Sequence, residues 1–273
     1  GAWPDELLGR HDDRAFVLRK AGFIRPDRWC AHLMDHPGIS LVGAAVHQFA
    51  PGCPVVTTLD DGRVFEADLL VLCVAEAARS LPGLDWLPLK LIRGQVSYCA
   101  ATTASRKWQQ AVCHAGYLTP ALDDLHCVGA TFDLNRQDTA PATADDDANL
   151  AQLRAHLPDC WRALGGESAQ IVGNRAALRC QSTDFLPLVG PLPDPSSLEA
   201  LAGIWLNLAH GSRGITHTPL CADLIADQVS GLVPAADPDI VDALAPERFI
   251  IRQRRRKPEQ KGRSGKNIHT RTL

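Results

Sequence analysis

The sequence predicts an α/β fold that carries a second, α+β domain, and three observations support this prediction. A continuous apolar segment at residues 69–75 has the length of a strand that is covered on both faces of a parallel sheet. A buried strand at 204–208 leads through a glycine-containing turn into a helix over about 215–230. Between these segments, several strand-like stretches predict a separate antiparallel sheet: 91–100, 115–120 and 125–131.

The remaining elements follow from local signals. Pro26 stands at the first position of a predicted short helix that ends before Pro37. Residues 145–164 have helical apolar spacing until Pro158 interrupts them, after a loop at 140–147. Three strand-like segments around an Asp-Gly turn predict a small antiparallel sheet: 39–49, 55–59 and 64–66.

Composition restricts the class of protein. The chain has 273 residues, of which 45% are apolar and 22% charged, as in ordinary folded proteins. The longest apolar segment is far shorter than the roughly 20 residues of a membrane-spanning helix, and we expect no membrane segment. Nine cysteines without a C-x-x-C pair favour reduced, mostly buried thiols in the cytoplasm. The sequence contains no close cluster of metal-ligand residues, so we expect no metal site.

Charge is distributed unevenly along the chain. Residues 248–273 contain ten Lys or Arg and one acid, a net charge of +9, whereas the preceding 247 residues carry −12. We expect 248–273 to form a basic, disordered tail that either binds RNA phosphates or serves only as a solubilising extension.

Several common functional motifs are absent from the sequence. No two glycines are two positions apart, so the G-x-G-x-x-G dinucleotide fingerprint does not occur. The chain also lacks a P-loop, H-E-x-x-H and G-x-S-x-G, which argues against most hydrolases and metalloenzymes.

The turn at residues 209–214 is the main local candidate for a binding site. It joins a buried strand to a helix, an arrangement that directs free backbone N–H groups at an anionic or electron-rich ligand. A purely structural turn would have the same spacing.

Six segments, taken in order, resemble the D-amino-acid oxidase-like superfamily of FAD-dependent oxidoreductases, over about residues 20–232. Within that superfamily they are most similar to oxidoreductases that modify the wobble uridine of tRNA. The segments are Gly22-Phe-Ile-Arg-Pro, Leu91-Ile-Arg-Gly-Gln-Val-Ser, Gly116-Tyr-Leu-Thr-Pro, Val128-Gly-Ala-Thr-Phe-Asp133, Leu178-Arg-Cys-Gln-Ser-Thr-Asp-Phe-Leu-Pro-Leu-Val-Gly190 and His210-Gly-Ser-Arg-Gly214.

The resemblance implies a fold, a cofactor and a reaction. Residues 1–88 and 178–247 would form part of a Rossmann-like FAD-binding domain, without its N-terminal fingerprint, and 89–177 the substrate domain. The expected reaction removes the carboxymethyl group from 5-carboxymethylaminomethyl uridine in tRNA. The expected partners are tRNA, a missing N-terminal portion of the oxidoreductase and a methyltransferase domain that then acts on the amine.

The resemblance also assigns site residues. Arg179, Arg213 and Tyr117 would hold the substrate carboxylate, for which the planar guanidinium fork is suited; in the alternative interpretation Arg179 pairs with Asp184. Where the family usually has a glycine, this chain has Ala75. The residues expected to contact FAD are Val46, Cys73, Val74, Ala75, His210, Gly211, Ser212, Gly214, Ile215 and Thr216.

Two other functions remain open from the sequence. The same pocket chemistry suits an oxidase of a free amino acid such as glycine or sarcosine, because that substrate also presents an amine and a carboxylate. The chain could also be an inactive truncated remnant.

Overall fold

The computed structural model describes residues 22–256, with the side chain of Arg256 excepted. These residues form helices α1 Pro26–Met34, α2 Thr143–His156, α3 Pro158–Ala163, α4 Gly214–Val229, α5 Pro238–Leu244 and α6 Arg248–Arg256. They also form strands β1 Val46–Ala50, β2 Val55–Leu59, β3 Val64–Ala67, β4 Leu70–Leu72, β5 Leu89–Ala100, β6 Val112–Cys113, β7 Tyr117–Leu118, β8 Leu125–Gly129, β9 Ile171–Ser182, β10 Leu188–Pro193 and β11 Ala200–Leu208.

The chain divides into two compact units. Within the described residues, unit I comprises 41–90 and 179–256, and unit II comprises 22–40 and 91–178. The sequence assigns residues 22–40 to the FAD-binding domain, but the structure groups them with unit II. Polar contacts connect the segment to unit II, because α1 buries no residue and its Arg28, together with Arg25, forms ion pairs with Asp123.

Unit I contains two three-stranded sheets. The first is the predicted small antiparallel sheet, in the order β1-β2-β3, although its first strand begins only at Val46. The second has the order β10-β11-β4, in which β11 runs parallel to β4 and antiparallel to β10. Leu72 of β4 and Leu206 and Leu208 of β11 are buried together in one core cluster.

Unit II is built on the predicted antiparallel sheet, in the order β6-β7-β8-β5-β9. Pro158 interrupts the predicted helix as expected, which leaves α2 and α3 on either side of the break, and α2 begins at Thr143, inside the predicted loop. Arg93, fully buried on β5, donates to a carboxylate oxygen of Asp145 at 2.7 Å. Gln95 and Ser97 donate to Asp146, so three residues of the Leu91-Ile-Arg-Gly-Gln-Val-Ser segment hold the first turn of α2.

The C-terminal region differs from its prediction. Residues 248–256 form helix α6 instead of the start of a disordered tail, and residues 257–273 lie outside the described part. The helix forms because Ile250 is buried and Phe249 packs against the core cluster of unit I. The overlooked signal is the apolar triplet at 249–251 among the arginines.

Candidate functional site

The candidate site lies at one edge of the β10-β11-β4 sheet. Leu72 pairs with Leu206 in parallel register, so the residues that follow β4 and the residues that follow β11 emerge at the same edge. Ligands in open α/β sheets bind outside the carboxyl ends of parallel strands. Two of the predicted cofactor segments, 73–75 and 210–216, therefore share this edge.

Ala75 has an unusual backbone conformation at this edge. Its φ is +46°, in the left-handed region that favours glycine. The resemblance implies a glycine at this position, and a positive φ would be a physical reason for one. Ala209, directly after β11, also has a positive φ, of +64°.

The turn after β11 contains two glycines with different requirements. Gly211 has a φ of +58°, and a Cβ there would lie 2.8 Å from Oε1 of Gln181. Gly214 has an ordinary helical φ of −54°, and its nearest neighbour would be the Cβ of His210 at 3.7 Å. The chain itself therefore needs glycine at 211 and tolerates a side chain at 214, where glycine leaves open space beside the start of α4.

The first turn of α4 is a region of positive potential. The helix has no side-chain cap and no acidic residue in its first turn. The N-terminal N–H groups of a helix have no intrahelical acceptors, and the helix dipole places about half a positive charge there. Ser212, Arg213, Ile215 and Thr216 are exposed around this start, and the Thr216 hydroxyl donates to the carbonyl of Arg213 at 2.9 Å.

His210 is a neutral, oriented imidazole at the same turn. Its Nε2 donates to Oδ1 of Asn207 at 2.8 Å, which leaves Nδ1 as an acceptor. Burial and, second, the neighbouring His217 lower the pKa of His210. Nδ1 of each histidine is buried without a hydrogen-bond partner among residues 22–256.

Strand β9 brings a predicted carboxylate-binding residue to this region. Gln181 forms an antiparallel bridge with His210, so the end of β9 lies alongside the turn. Arg179 is half-buried two positions before Gln181, and strand geometry directs both side chains to the same face. Backbone pairing thus connects the strand of Arg179 to the turn of Arg213.

Val46 and Tyr117 lie in other parts of the fold. Val46 on β1 and Val74 pack against the same core cluster of unit I. Tyr117 is half-buried on β7 of unit II, where burial raises the pKa of the Cys127 thiol and a hydrogen bond with Tyr117 partly offsets that rise.

Asp184, the alternative partner of Arg179, is held by two other arginines. Nε and Nη2 of Arg248 each donate to the Asp184 carboxylate at 3.0 Å, and Arg252 also donates to it. Burial by itself would raise the pKa of Asp184, but the hydrogen bonds from Arg248 and Arg252 outweigh it and hold the pKa well below its usual range.

Sequence reasoning missed several residues of this region. Gln181 contacts Gly211, Asn207 orients His210, and His217 lies beside His210 at 6.5 Å between ring centroids. Their signal was weak because each depends on a neighbour that is distant in sequence or on the geometry of one turn.

Between residues 22 and 256 no group of three or more His, Cys, Asp or Glu side chains could hold a metal ion. Within the same range, no helix combines the length and apolar character needed to cross a bilayer.

The chain belongs to the FAD-dependent oxidoreductase family, whose sequence profile matches residues 2–228. The fold class predicted from the sequence is thereby confirmed, and FAD is the cofactor that the family implies. The open side of Gly214 and the uncapped start of α4 fit a cofactor at the carboxyl edge of unit I.

Proteins of similar sequence indicate a more specific relationship within this family. The chain is 35% identical over 255 residues to the tRNA 5-methylaminomethyl-2-thiouridine biosynthesis bifunctional protein MnmC of Pseudomonas aeruginosa strain UCBPP-PA14. It is 33% identical over 258 residues to the MnmC protein of Chromohalobacter salexigens. These alignments cover 85% of this chain but only 39% and 37% of the relatives, so the chain spans about two fifths of their length.

Solved structures support the fold. Glycine oxidase from Geobacillus kaustophilus superimposes with a TM-score of 0.64 at 21% identity, covering 77% of this chain and 53% of that structure. L-proline dehydrogenase from P. horikoshii superimposes with a TM-score of 0.62 at 15% identity, covering 78% and 55%. At these identities the similarity concerns the fold alone.

Proposed function

We propose that this chain is part of an FAD-dependent oxidoreductase that removes the carboxymethyl group from 5-carboxymethylaminomethyl uridine at the wobble position of tRNA. The observation that carries the proposal is the shared carboxyl edge of β4 and β11, with residues 73–75 and 210–216 at its border and β9 alongside. The similarity to MnmC proteins supports tRNA as the substrate.

The chain's own residues would bind and orient the substrate. Arg179 and Arg213 would hold the carboxylate in charge-assisted hydrogen bonds. When bound, FAD supplies the two-electron oxidant for the C–H and N–H bonds of the carboxymethylamino group. Water then adds to the resulting C=N bond, the C–N bond breaks, and the carboxymethyl carbon leaves as an aldehyde while the amine stays on the uridine.

The first turn of α4 would act on the cofactor side. Residues 211–216 would stabilise the negative charge that accumulates on a reduced flavin, because free N–H donors and the helix dipole favour it. Nδ1 of His210 would accept a hydrogen bond from the bound ligand. Val46, Cys73, Val74 and Ala75 would contact the other end of FAD.

We further propose that the dinucleotide fingerprint comes from additional polypeptide. The G-x-G-x-x-G pattern is absent from this sequence, and the relatives are more than twice as long as their aligned part. The partners would be the N-terminal portion of the oxidoreductase, which supplies the phosphate-binding turn, and a methyltransferase domain that uses the amine product.

Flavin binding tests the cofactor part of the proposal. The chain, combined with the N-terminal portion of the oxidoreductase that supplies the phosphate-binding turn, is incubated with excess FAD and gel-filtered, and flavin absorbance at about 450 nm is measured in the protein peak. We expect retained FAD and a raised melting temperature. Gly214→Ala should keep the fold but retain at least several-fold less FAD, whereas Gly43→Ala, in open space, should match the parent. A colourless protein with an unchanged melting temperature would overturn the proposal.

Substrate oxidation tests the other part. The FAD-loaded protein is given a tRNA that carries the carboxymethylaminomethyl nucleoside and, separately, glycine and sarcosine, and flavin bleaching is followed without oxygen. We expect bleaching with the tRNA only. Bleaching with glycine or sarcosine alone would identify a free amino-acid oxidase instead.

A further inference from the structure

Helix α6 ends in a concentrated set of positive charges that the proposed reaction does not use. Arg252, Arg254 and Arg255 have exposed side chains, and Arg256 and Lys257 follow in the sequence. The next acid along the chain is Glu259. We infer that the exposed arginines of α6 form a phosphate-binding surface for RNA; this inference rests on the proposed function and assigns the docking surface for its substrate.

The helix is fixed to unit I by its first turn. Ile250 is buried, Phe249 packs against the core cluster, and the Arg248 residue is only 6% exposed. Arg248 also donates to the carbonyls of Leu244, Ala245 and Leu186. The exposed arginines that follow this turn therefore project from a fixed element.

Two of the exposed guanidinium groups are themselves oriented. Arg252, whose side chain is 49% exposed, donates to Asp184, and Arg254 donates to the carbonyls of Pro195 and Ser196. Ordered guanidinium groups lose less side-chain entropy when they bind phosphate. Arg255 adds charge on the same short segment.

The position of α6 relates this surface to the candidate site. Asp184, which binds Arg248 and Arg252, lies three residues after Gln181, and Gln181 pairs with His210 at the predicted flavin turn. The Ser182 hydroxyl also donates to Asp184 at 2.9 Å. An RNA held by α6 would thus contact the same segment of unit I that leads from β9.

RNA fits this surface better than a lipid bilayer does. A helix that lies on a membrane inserts an apolar face between the lipids, whereas Phe249 and Ile250 of α6 pack into the protein. Three of the four exposed residues from 252 to 255 are arginines, and such a charged surface attracts a polyphosphate through counterion release.

The inference is tested with the full chain, a fluorescein-labelled tRNA transcript and fluorescence anisotropy over a range of salt concentrations. The double variant Arg254→Gln/Arg255→Gln should bind tRNA roughly tenfold or more weakly at about 0.1 M salt, with a salt slope lower by about 1 for each arginine removed. Arg254→Lys/Arg255→Lys should retain most of the affinity, because the charge remains.

The matched control is Arg154→Gln/Arg162→Gln, which removes two exposed arginines from unit II. It should bind tRNA within about twofold of the parent. Equal losses in the two glutamine variants would overturn the inference, and so would unchanged tRNA binding accompanied by lost binding to anionic phosphatidylserine vesicles. Melting temperatures exclude misfolding as the cause.

FAD retention on the same preparations separates this test from that of the proposed function. Retained FAD with tRNA affinity that does not depend on Arg254 and Arg255 contradicts the RNA surface alone. Arginine-dependent tRNA binding by a protein that takes up no FAD, even when combined with the N-terminal portion of the oxidoreductase, supports the surface and contradicts the oxidoreductase.

Discussion

At the scale of single residues, two alanines at the carboxyl edge of the β10-β11-β4 sheet have an unusual backbone conformation. Ala75 and Ala209 both have positive φ just beyond the parallel strands β4 and β11. An L-residue in the left-handed region costs about 1–2 kcal/mol, and such strain tends to concentrate near functional sites. Glycine would adopt either conformation without that cost.

The first prediction concerns the strain at Ala75. Ala75→Gly should raise the free energy of unfolding by about 0.5–1 kcal/mol, because relief of the left-handed strain exceeds the added entropy of the unfolded chain. The change appears as a melting temperature higher by roughly 1–4 °C. Ala77→Gly, in the same short turn but without a positive φ, should instead destabilise the protein. Equal destabilisation by both changes would contradict strain at residue 75.

At the scale of elements, patterns with a clear period were predictable. The strand β2 matches its predicted residues, and the turn into α4 was located from one buried strand and its glycines. The strand expected at 39–49 shortens to five residues because its first half remains exposed. Helix α6 was missed because its arginines resemble a disordered tail until their partner Asp184, more than sixty residues away, is known.

The second prediction concerns the pairing of α6 with Asp184. Asp184→Asn keeps the shape but leaves Arg248, 6% exposed, without its carboxylate, and should cost about 2–4 kcal/mol of unfolding free energy near pH 7. The parent's pKa is depressed below the unfolded value of about 3.9. The ion pairs therefore stabilise the fold above about pH 4 and lose that effect as the pH falls through the folded-state pKa.

Urea denaturation of both proteins from about pH 3 to 8 measures this effect. The difference in unfolding free energy should be constant above about pH 5 and narrow below about pH 4. Asp223→Asn, which removes an exposed carboxylate from α4, should change stability by less than about 0.5 kcal/mol at every pH. A difference between parent and Asp184→Asn that does not vary with pH would mean that the carboxylate charge contributes nothing.

At the scale of the whole molecule, each unit has its own buried core, and each unit contains two buried cysteine thiols. The sequence predicts mostly buried cysteines, but four of the nine are exposed: Cys30, Cys53, Cys73 and Cys113. Apolar composition could not reveal this, because exposure depends on which strand faces are covered. Two buried thiols, Cys99 and Cys160, lie in unit II, and two, Cys180 and Cys221, lie in unit I.

The third prediction uses this distribution to measure the folding of each unit. Burial raises the pKa of Cys99 to about 12 and the pKa values of Cys160, Cys180 and Cys221 to about 11, so their reactive thiolate forms are scarce as well as inaccessible. Alkylation at about pH 7.5, followed by mass spectrometry, should label the four exposed thiols rapidly and the half-buried Cys127 slowly.

All nine cysteines should react in denaturant without reductant, because all are free. Stepwise denaturant should expose Cys99 with Cys160, and Cys180 with Cys221, because each pair belongs to one unit; rapid labelling of either pair in the native protein would show that its unit is not packed as described.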